Sequence, residues 1–213
     1  FDAKRLSVLD VWRKARVSAE NNRSRATRQA VQMVAPDAVG TLSDVLGQPM
    51  KFLSLRIAAP QKVRQELVVL ALVRIAANDP DVAAKQLASK WSPYLTSEER
   101  HWVWGVIGRQ SAMRLDDDAL EHFAKVRNDR DLNDDMLGWK VRAALRAGTT
   151  PRWSVVESSI GHMSEQARRD PTWVYWLARS LQARRPGTPA LTQEATQLLM
   201  SMAGPRGFYE QLA

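Results

Sequence analysis

The sequence predicts an all-α fold in which antiparallel helix pairs stack into a right-handed superhelix. Capping signals and helix breakers alternate with apolar stripes at helical spacing along most of the chain. Helix pairs open near Pro60, Thr96, Leu132 and Asp170, at intervals of 36, 36 and 38 residues. This spacing is close to the tetratricopeptide period of about 34 residues. Because a lone helical hairpin cannot bury its apolar face, successive pairs must stack on one another.

Composition places the chain among folded, water-soluble proteins. Of its 213 residues, 45% are hydrophobic and 25% are charged, which argues against disorder. The longest apolar run is 67–73, far below the roughly 18 residues that a membrane span needs. Cysteine is absent, so disulfides and thiolate metal sites are excluded. No signal-peptide pattern opens the sequence, which is expected of a cytosolic protein or of a chain that begins after processing.

The net charge of +8 raises the question of a polyanionic partner. Lys and Arg are spread along the whole chain, and the acidic runs Asp116–Asp118 and Asp134–Asp135 interrupt them. No nucleic-acid-binding motif is present. We therefore expect no nucleic acid partner and interpret the basic residues as a solvated surface.

Residues 1–59 are predicted to form an irregular helical lead-in within a single superhelical domain, 1–213. A stripe through Leu6, Leu9, either Trp12 or Val11, and Ala15 predicts a first helix. Asn21-Asn22 then marks either a break between two helices or a polar patch within one. Residues 36–59 are richer in Pro, Gly and Ser, which predicts a turn-rich connection with one or two short helices.

About four helix pairs are predicted for residues 60–213, and local signals mark where several of the helices begin. A long helix is predicted after Pro60, because 67–73 is apolar on every face; a buried strand is the less favoured alternative. Asp79-Pro80 stops this helix and caps the next one, which ends at Pro93. Thr96 and Glu99 have the spacing of a capping box. Asp116–Asp118 predicts an acidic first turn for another short helix.

The last pair has the clearest signals. Asp170 is placed to cap a helix whose first residue, Pro171, has no N–H to satisfy. The next helix is predicted after the breakers Pro186 to Pro189. The two helices carry apolar stripes that are expected to face each other, namely Trp173, Trp176, Leu177 and Leu181 on the first and Ala195, Leu198, Leu199 and Met202 on the second. We expect Trp173, Trp176 and Leu181 to be largely buried.

Residues that carry catalysis are scarce. His101, His122 and His162 fall in different predicted helices without a paired ligand spacing, so no metal site is predicted. The sequence contains no Gly-rich phosphate loop and no Gly-x-Ser-x-Gly motif. We assign no catalytic, cofactor-binding or metal-binding residue, and substrate-binding residues stay unknown. Eight Trp could form platforms for sugars, but their helical spacing beside Leu, Ile and Ala favours packing in a core.

Two stretches carry a resemblance to a known family. In residues 173–181, Tyr175 lies inside a Trp-x-x-Trp pair that continues as Leu-Ala-Arg-Ser-Leu, and Gly207-Phe208-Tyr209 follows a second helix. Residues 139–148 read Trp-Lys-Val-Arg-Ala-Ala-Leu-Arg-Ala-Gly, and Arg152-Trp153 comes soon after. Together they resemble the end of the superhelical region of soluble lytic murein transglycosylases. Glu210 departs from that pattern, which often has Gly after Phe-Tyr.

The resemblance implies a role in cell-wall turnover. In this family an arc of helices carries a lysozyme-like catalytic domain, in which one Glu cleaves peptidoglycan between N-acetylmuramic acid and N-acetylglucosamine and leaves a 1,6-anhydro end. This chain would be the non-catalytic scaffold in the periplasm of a Gram-negative bacterium. Its expected partners are peptidoglycan glycan strands and its own downstream catalytic domain, with no cofactor. The alternative is a helical-repeat adaptor that binds proteins.

One Glu-Ser pair, Glu157-Ser158, matches part of the family's catalytic motif. No Gly-Leu-Met-Gln follows it, because Leu199-Met200 lacks both the Gly and the Gln. Val155, Val156 and Ile160 surround the pair in a predicted amphipathic helix. We therefore interpret Glu157 as a surface residue and expect the catalytic domain to be absent from this chain.

Overall fold

The computed structural model of the protein describes residues 6–55, 60–184, 189–204 and 207–213. Every regular element in these ranges is helical, which confirms the predicted all-α class. Contacts divide the chain into two compact units, Phe1–Gln110 and Ser111–Ala213. The single domain expected over residues 1–213 stays a prediction.

The first unit contains two long helices and a series of shorter ones. Asn22, with φ of 56°, reverses the chain between the first two helices, so the polar break predicted at Asn21-Asn22 is a true helix boundary. Helix bounds are α1 (Val8–Glu20), α2 (Ser24–Val34), α3 (Leu42–Gly47), α4 (Pro49–Ser54), α5 (Gln61–Asn78), α6 (Pro80–Gln86) and α7 (Ser97–Arg114), which contains the boundary between the units. A 3₁₀ helix covers Pro36–Thr41. After α6, a π turn at Leu87–Trp91 is followed by a 3₁₀ turn at Ser92–Tyr94. The helical segment therefore ends near Pro93, where the sequence predicted its end.

Helix α5 forms the centre of the first unit. Each residue of its apolar run 67–73 is at most 1% exposed, which confirms a helix buried from several sides. The run is buried on all sides because four other helices pack against α5, namely α1, α3, α4 and α6. A helix that is apolar all round is stable only in such a position.

A network of buried charges also ties α1, α5 and α7 together. Arg16 is fully buried, and its guanidinium donates to Glu66 (2.8 and 3.0 Å) and to Glu98 (2.9 and 3.0 Å). Lys62 Nζ lies 2.7 Å from Glu66 and 2.6 Å from Glu99. Burial lowers the pKa of Arg16 and of Lys62, but the neighbouring carboxylates outweigh burial, and both pKa values are raised. Both side chains therefore stay charged at neutral pH.

The second unit consists of helices that pack on one another in sequence order. They are α8 (Ala119–Ala124), α9 (Asp134–Arg146), α10 (Trp153–His162), α11 (Glu165–Arg168), α12 (Pro171–Arg184), α13 (Pro189–Met202) and α14 (Phe208–Leu212). Helix α9 packs on α8 and α10, and α12 packs on α10, α13 and α14. The helices that begin at Gln61, Ser97, Asp134 and Pro171 follow at intervals of 36 to 37 residues, close to the predicted period. The one-turn helix α11 was not predicted.

Three predicted caps are present in the structure. Asp79 accepts from the N–H of Val82 at 3.0 Å. Thr96 and Glu99 form the reciprocal capping box, with Thr96 N–H donating to Glu99 at 2.8 Å and Glu99 N–H to Thr96 Oγ1 at 3.3 Å. Asp170 Oδ1 accepts from the N–H of Thr172 at 2.8 Å.

Helices α12 and α13 form the predicted hairpin. Its buried core consists of Ala178, Leu181 and Ala195, against which Leu191, Leu198 and Leu199 pack. Leu181 is buried as expected, and Trp173 and Trp176 are partly buried, so the expectation of large burial holds fully for Leu181 and in part for the two rings. Of the breakers predicted between the helices, 186–188 lie outside the described residues.

Within the described ranges, none of the helices combines the length and apolarity that crossing a bilayer demands.

The cap at Asp170 leads to a stability prediction. Asp170→Ala should lower the free energy of unfolding by about 1 kcal/mol, because an N–H in the first turn of α12 loses its acceptor. Asp170→Asn should be close to wild type, since Asn caps as well as Asp does. Chemical denaturation of the three proteins provides the comparison, and equal midpoints for Asp170→Ala and wild type would contradict the cap.

Candidate functional site

The eight Trp residues divide between the two units according to their exposure. Four in the first unit are buried: Trp12, Trp91, Trp102 and Trp104. Four in the second unit are partly exposed: Trp139, Trp153, Trp173 and Trp176. The interpretation of the Trp residues as core packing is therefore correct for the first group and incomplete for the second. Partly exposed indoles close to one another are typical of binding surfaces.

Five rings of the second unit form one continuous group, which we call the aromatic surface: Trp153, Tyr175, Trp176, Phe208 and Tyr209. Ring centroids are 6.5 Å apart for Trp153–Trp176, 5.2 Å for Tyr175–Trp176 and 5.4 Å for Tyr175–Tyr209. The ring centroids of Phe208 and Tyr209 are 5.1 Å apart, and Phe208 is 71% exposed. Three helices supply these rings, namely α10, α12 and α14.

A hydrogen bond holds α14 against α12 at the aromatic surface. The indole Nε1 of Trp176 donates to the hydroxyl of Tyr209 at 3.3 Å. Because α14 has only five residues and no side-chain cap, it depends on such tertiary contacts for its position. The Phe-Tyr segment is therefore held to the helix that carries the Trp-x-x-Trp pair.

Arg142 lies between two further indoles, an arrangement that we call the Arg142 stack. Its guanidinium is 4.9 Å from the ring centroid of Trp139 and 5.1 Å from that of Trp173. Stacking of this kind contributes about 0.5 to 1 kcal/mol per ring at exposed sites. Arg142 is itself exposed and forms no ion pair with any described residue. Its N–H groups are therefore available to an anionic group of a ligand.

Gly138 makes the Arg142 stack possible. A Cβ atom at this position would lie 2.9 Å from Cζ2 of Trp173, closer than packed atoms tolerate, and 3.2 Å from Nη1 of Arg142, a tight contact. Gly138 is buried in the middle of α9, where glycine costs helix stability. The close approach of the Trp173 ring to the backbone accounts for a glycine here. A mid-helix glycine beside Trp139 was the one sequence signal that could have indicated this contact.

The aromatic surface and the Arg142 stack suit a ligand that has both apolar faces and negative charge. Pyranose rings present C–H groups on their faces, and these pack against aromatic rings. A guanidinium binds carboxylates through two parallel N–H groups. Trp173 and Trp176 are three residues apart on α12, so both groups of rings lie on neighbouring parts of one helix. A glycan that bears carboxylates combines these two chemistries.

Glu157, His122 and His162, which were considered for catalysis or metal binding, are each engaged by neighbouring side chains or backbone. Glu157 is paired with Arg184, and its side chain is 35% exposed, so it does not lie in an enclosed pocket. His122 lies 3.7 Å from Asp118, and the imidazole of His162 donates to the carbonyl of Ser158 at 2.8 Å. His122 also lies 3.1 Å from Ser111 Oγ of α7, and the contact between Glu157 and Arg184 joins α10 to α12.

Comparison with solved structures finds a likeness in fold. No family model matches the chain, and no curated protein matches its sequence. Among solved structures, it is similar to the X-ray structure of an inactive mutant of the lytic transglycosylase Slt from Pseudomonas aeruginosa, at 24% identity and a TM-score of 0.60. The match covers 99% of this chain and 34% of that one, so this chain spans about a third of the length of that protein. The two proteins share a fold over nearly all of this chain.

Proposed function

We propose that this chain is the non-catalytic superhelical part of a lytic murein transglycosylase and that it guides peptidoglycan strands. The observation that carries the proposal is the shared fold with a lytic transglycosylase over 99% of the chain. The motifs at Trp173–Leu181 and Phe208-Tyr209 support the same family independently. They also supply three rings of the aromatic surface, Tyr175, Trp176 and Tyr209.

In the proposed role, the aromatic surface holds sugar rings and the Arg142 stack holds a carboxylate. Peptidoglycan offers both, because its glycan strands carry stem peptides with carboxylate groups. Positive charge over the rest of the chain adds long-range attraction to such a polymer. The chain would thus retain a strand without cleaving it.

Two further parts of the proposal follow from the family. The chain would work in the periplasm of a Gram-negative bacterium, where peptidoglycan lies. Its second partner would be a downstream catalytic domain of its own polypeptide, which cleaves the bond between N-acetylmuramic acid and N-acetylglucosamine. The likeness over only 34% of the Slt chain leaves room for such a domain.

A helical-repeat adaptor is the competing function, and sedimentation separates the two. Purified chain is mixed either with purified sacculi, followed by centrifugation, or with cell extract, followed by affinity capture. The proposal expects the chain to sediment with sacculi in a saturable way. Capture of specific proteins without sedimentation would favour the adaptor and overturn the proposal.

The chain by itself is expected not to cleave peptidoglycan. Cleavage of a glycosidic bond needs an acid held in a cleft beside the leaving oxygen, and Glu157 is instead paired with Arg184 at a partly exposed position. Digests of sacculi, analysed by mass spectrometry, should contain no 1,6-anhydromuropeptides above those of a blank. Release of such products that disappears in Glu157→Gln would assign catalysis to this chain and contradict the prediction.

A further inference from the structure

The first unit contains a cavity of about 570 Å³ whose wall carries three arginines. Arg25 and Arg28 belong to the first turns of α2, and Arg74 belongs to α5. Asn22 and Ser24 at the start of α2 and Leu46 of α3 complete the part of the wall used here. The volume falls in the range of about 300 to 1,000 Å³ that is usual for ligand pockets. No Asp or Glu is among the lining residues.

None of these three arginines has a carboxylate partner among the described residues. Arg74 donates to the carbonyl oxygens of Ala19 (3.3 Å) and Leu46 (3.5 Å), which position the side chain and leave its charge uncompensated. Arg28 makes one long contact of 3.4 Å with the carbonyl of Val39. Arg25 has no hydrogen bond or ion pair to any described residue and is exposed.

Other arginines of the same unit behave differently. Arg13 and Arg16 both pair with Glu98, and Arg109 pairs with Glu20. Arg23 and Arg100 also lack a carboxylate partner among the described residues, but neither lines the cavity. The cavity is set apart because three such arginines share its wall. Like charges that share one cavity repel each other, and an anion inside the cavity offsets that repulsion.

The donors around the cavity have the chemistry that binds an oxyanion. Each guanidinium carries five N–H groups in a plane and can donate two in parallel to the oxygens of one phosphate or carboxylate. Helix α2 begins at the same wall and has no side-chain cap, so its first-turn N–H groups add to the positive potential. The three arginines carry the assignment, and the helix start strengthens it.

We propose that this cavity binds a compact oxyanion, a phosphate or a carboxylate, through Arg25, Arg28 and Arg74. The cavity is larger than one phosphate group, so the natural ligand carries the oxyanion on a larger molecule. The site belongs to the first unit and uses none of the residues of the aromatic surface. It therefore does not depend on the proposed guidance of glycan strands.

The test is a titration of the isotope-labelled chain with inorganic phosphate and, separately, with succinate, at constant ionic strength set by sodium chloride. Saturable changes in the amide chemical shifts of residues 22–28 are expected with at least one of the two anions. Arg25→Gln/Arg28→Gln should bind at least about tenfold more weakly, because charge-assisted hydrogen bonds are lost. Stronger binding of phosphate or of succinate shows which of the two oxyanions the cavity takes.

A matched control removes the same amount of charge elsewhere. Lys14→Gln/Lys85→Gln changes two exposed lysines of the same unit that do not line the cavity, and its affinity should equal that of wild type. An equal loss in both double variants would mean that net charge alone attracts the anion, which overturns the site. Shifts that rise linearly without saturation, or no shifts with either anion, would overturn it as well. Circular dichroism of the variants establishes that the helices are intact.

Discussion

Arg16→Met is expected to lower the free energy of unfolding by about 3 to 5 kcal/mol, the largest single effect among the predictions. Arg16 is fully buried, and it holds Glu66 and Glu98 through four hydrogen bonds. Its guanidinium also lies 5.3 Å from the ring centroid of Trp102. In the variant, Glu66 stays fully buried and keeps only Lys62, whose side chain is 51% exposed. Denaturant-induced unfolding followed by circular dichroism measures the loss.

Two further variants show whether the loss comes from unpaired charge. In Arg16→Met/Glu66→Met, Lys62 still pairs with Glu99 and Arg13 still pairs with Glu98. Because no buried charge is then left alone, the double variant should be more stable than Arg16→Met by about 1 kcal/mol or more. Arg13→Met, at a partly exposed position, should cost at most about 1 kcal/mol. Equal losses for Arg13→Met and Arg16→Met would contradict the network.

Trp153→Ala/Trp176→Ala is expected to weaken retention on sacculi by about tenfold or more. These two rings join α10 to α12 in the aromatic surface, with centroids 6.5 Å apart. Each aromatic contact contributes about 0.5 to 1.5 kcal/mol beyond burial of its area, and about 1.4 kcal/mol corresponds to a tenfold change in affinity. Sedimentation with increasing amounts of sacculi measures the affinity of variant and wild type.

The control for this pair is an aromatic residue outside the aromatic surface. Tyr94→Ala removes a ring of the first unit that is 65% exposed, and retention should stay at the wild-type level. Trp153→Ala alone leaves the hydrogen bond between Trp176 and Tyr209 in place, so it should reduce retention without releasing α14. Wild-type retention of the double variant, with its helix content intact, would show that these rings do not bind glycan.

Local sequence signals were sufficient to predict most of the helices and where several of them begin. Asp79, Thr96 and Asp170 accept hydrogen bonds from backbone N–H groups only two or three residues away, so the chemistry lies within one short segment. The same holds for the break at Asn21-Asn22, where one residue takes a left-handed conformation. The apolar run 67–73 predicted its own burial because no face of the helix could remain in water.

The charge network could not be predicted in this way. Arg16 is 50 positions from Glu66 and 82 from Glu98 along the chain. Nothing in the sequence near Arg16 distinguishes it from the exposed Lys14 two positions earlier. Which cation is buried depends on which side of α1 meets α5, and this is set by packing.

The candidate site shows the same division. The positions of the Trp residues along α9, α10 and α12 were evident from the sequence, and so was the helical stripe that contains Trp173 and Trp176. Their partial exposure was not, because a stripe records which residues share a face and does not record how much of that face a neighbouring helix covers. Sequence patterns of period 3.6 thus specify the helices of this chain, their caps and their amphipathic faces. Only tertiary packing decides which rings and charges are enclosed and which remain available to a ligand, since enclosure depends on contacts between residues far apart in the chain.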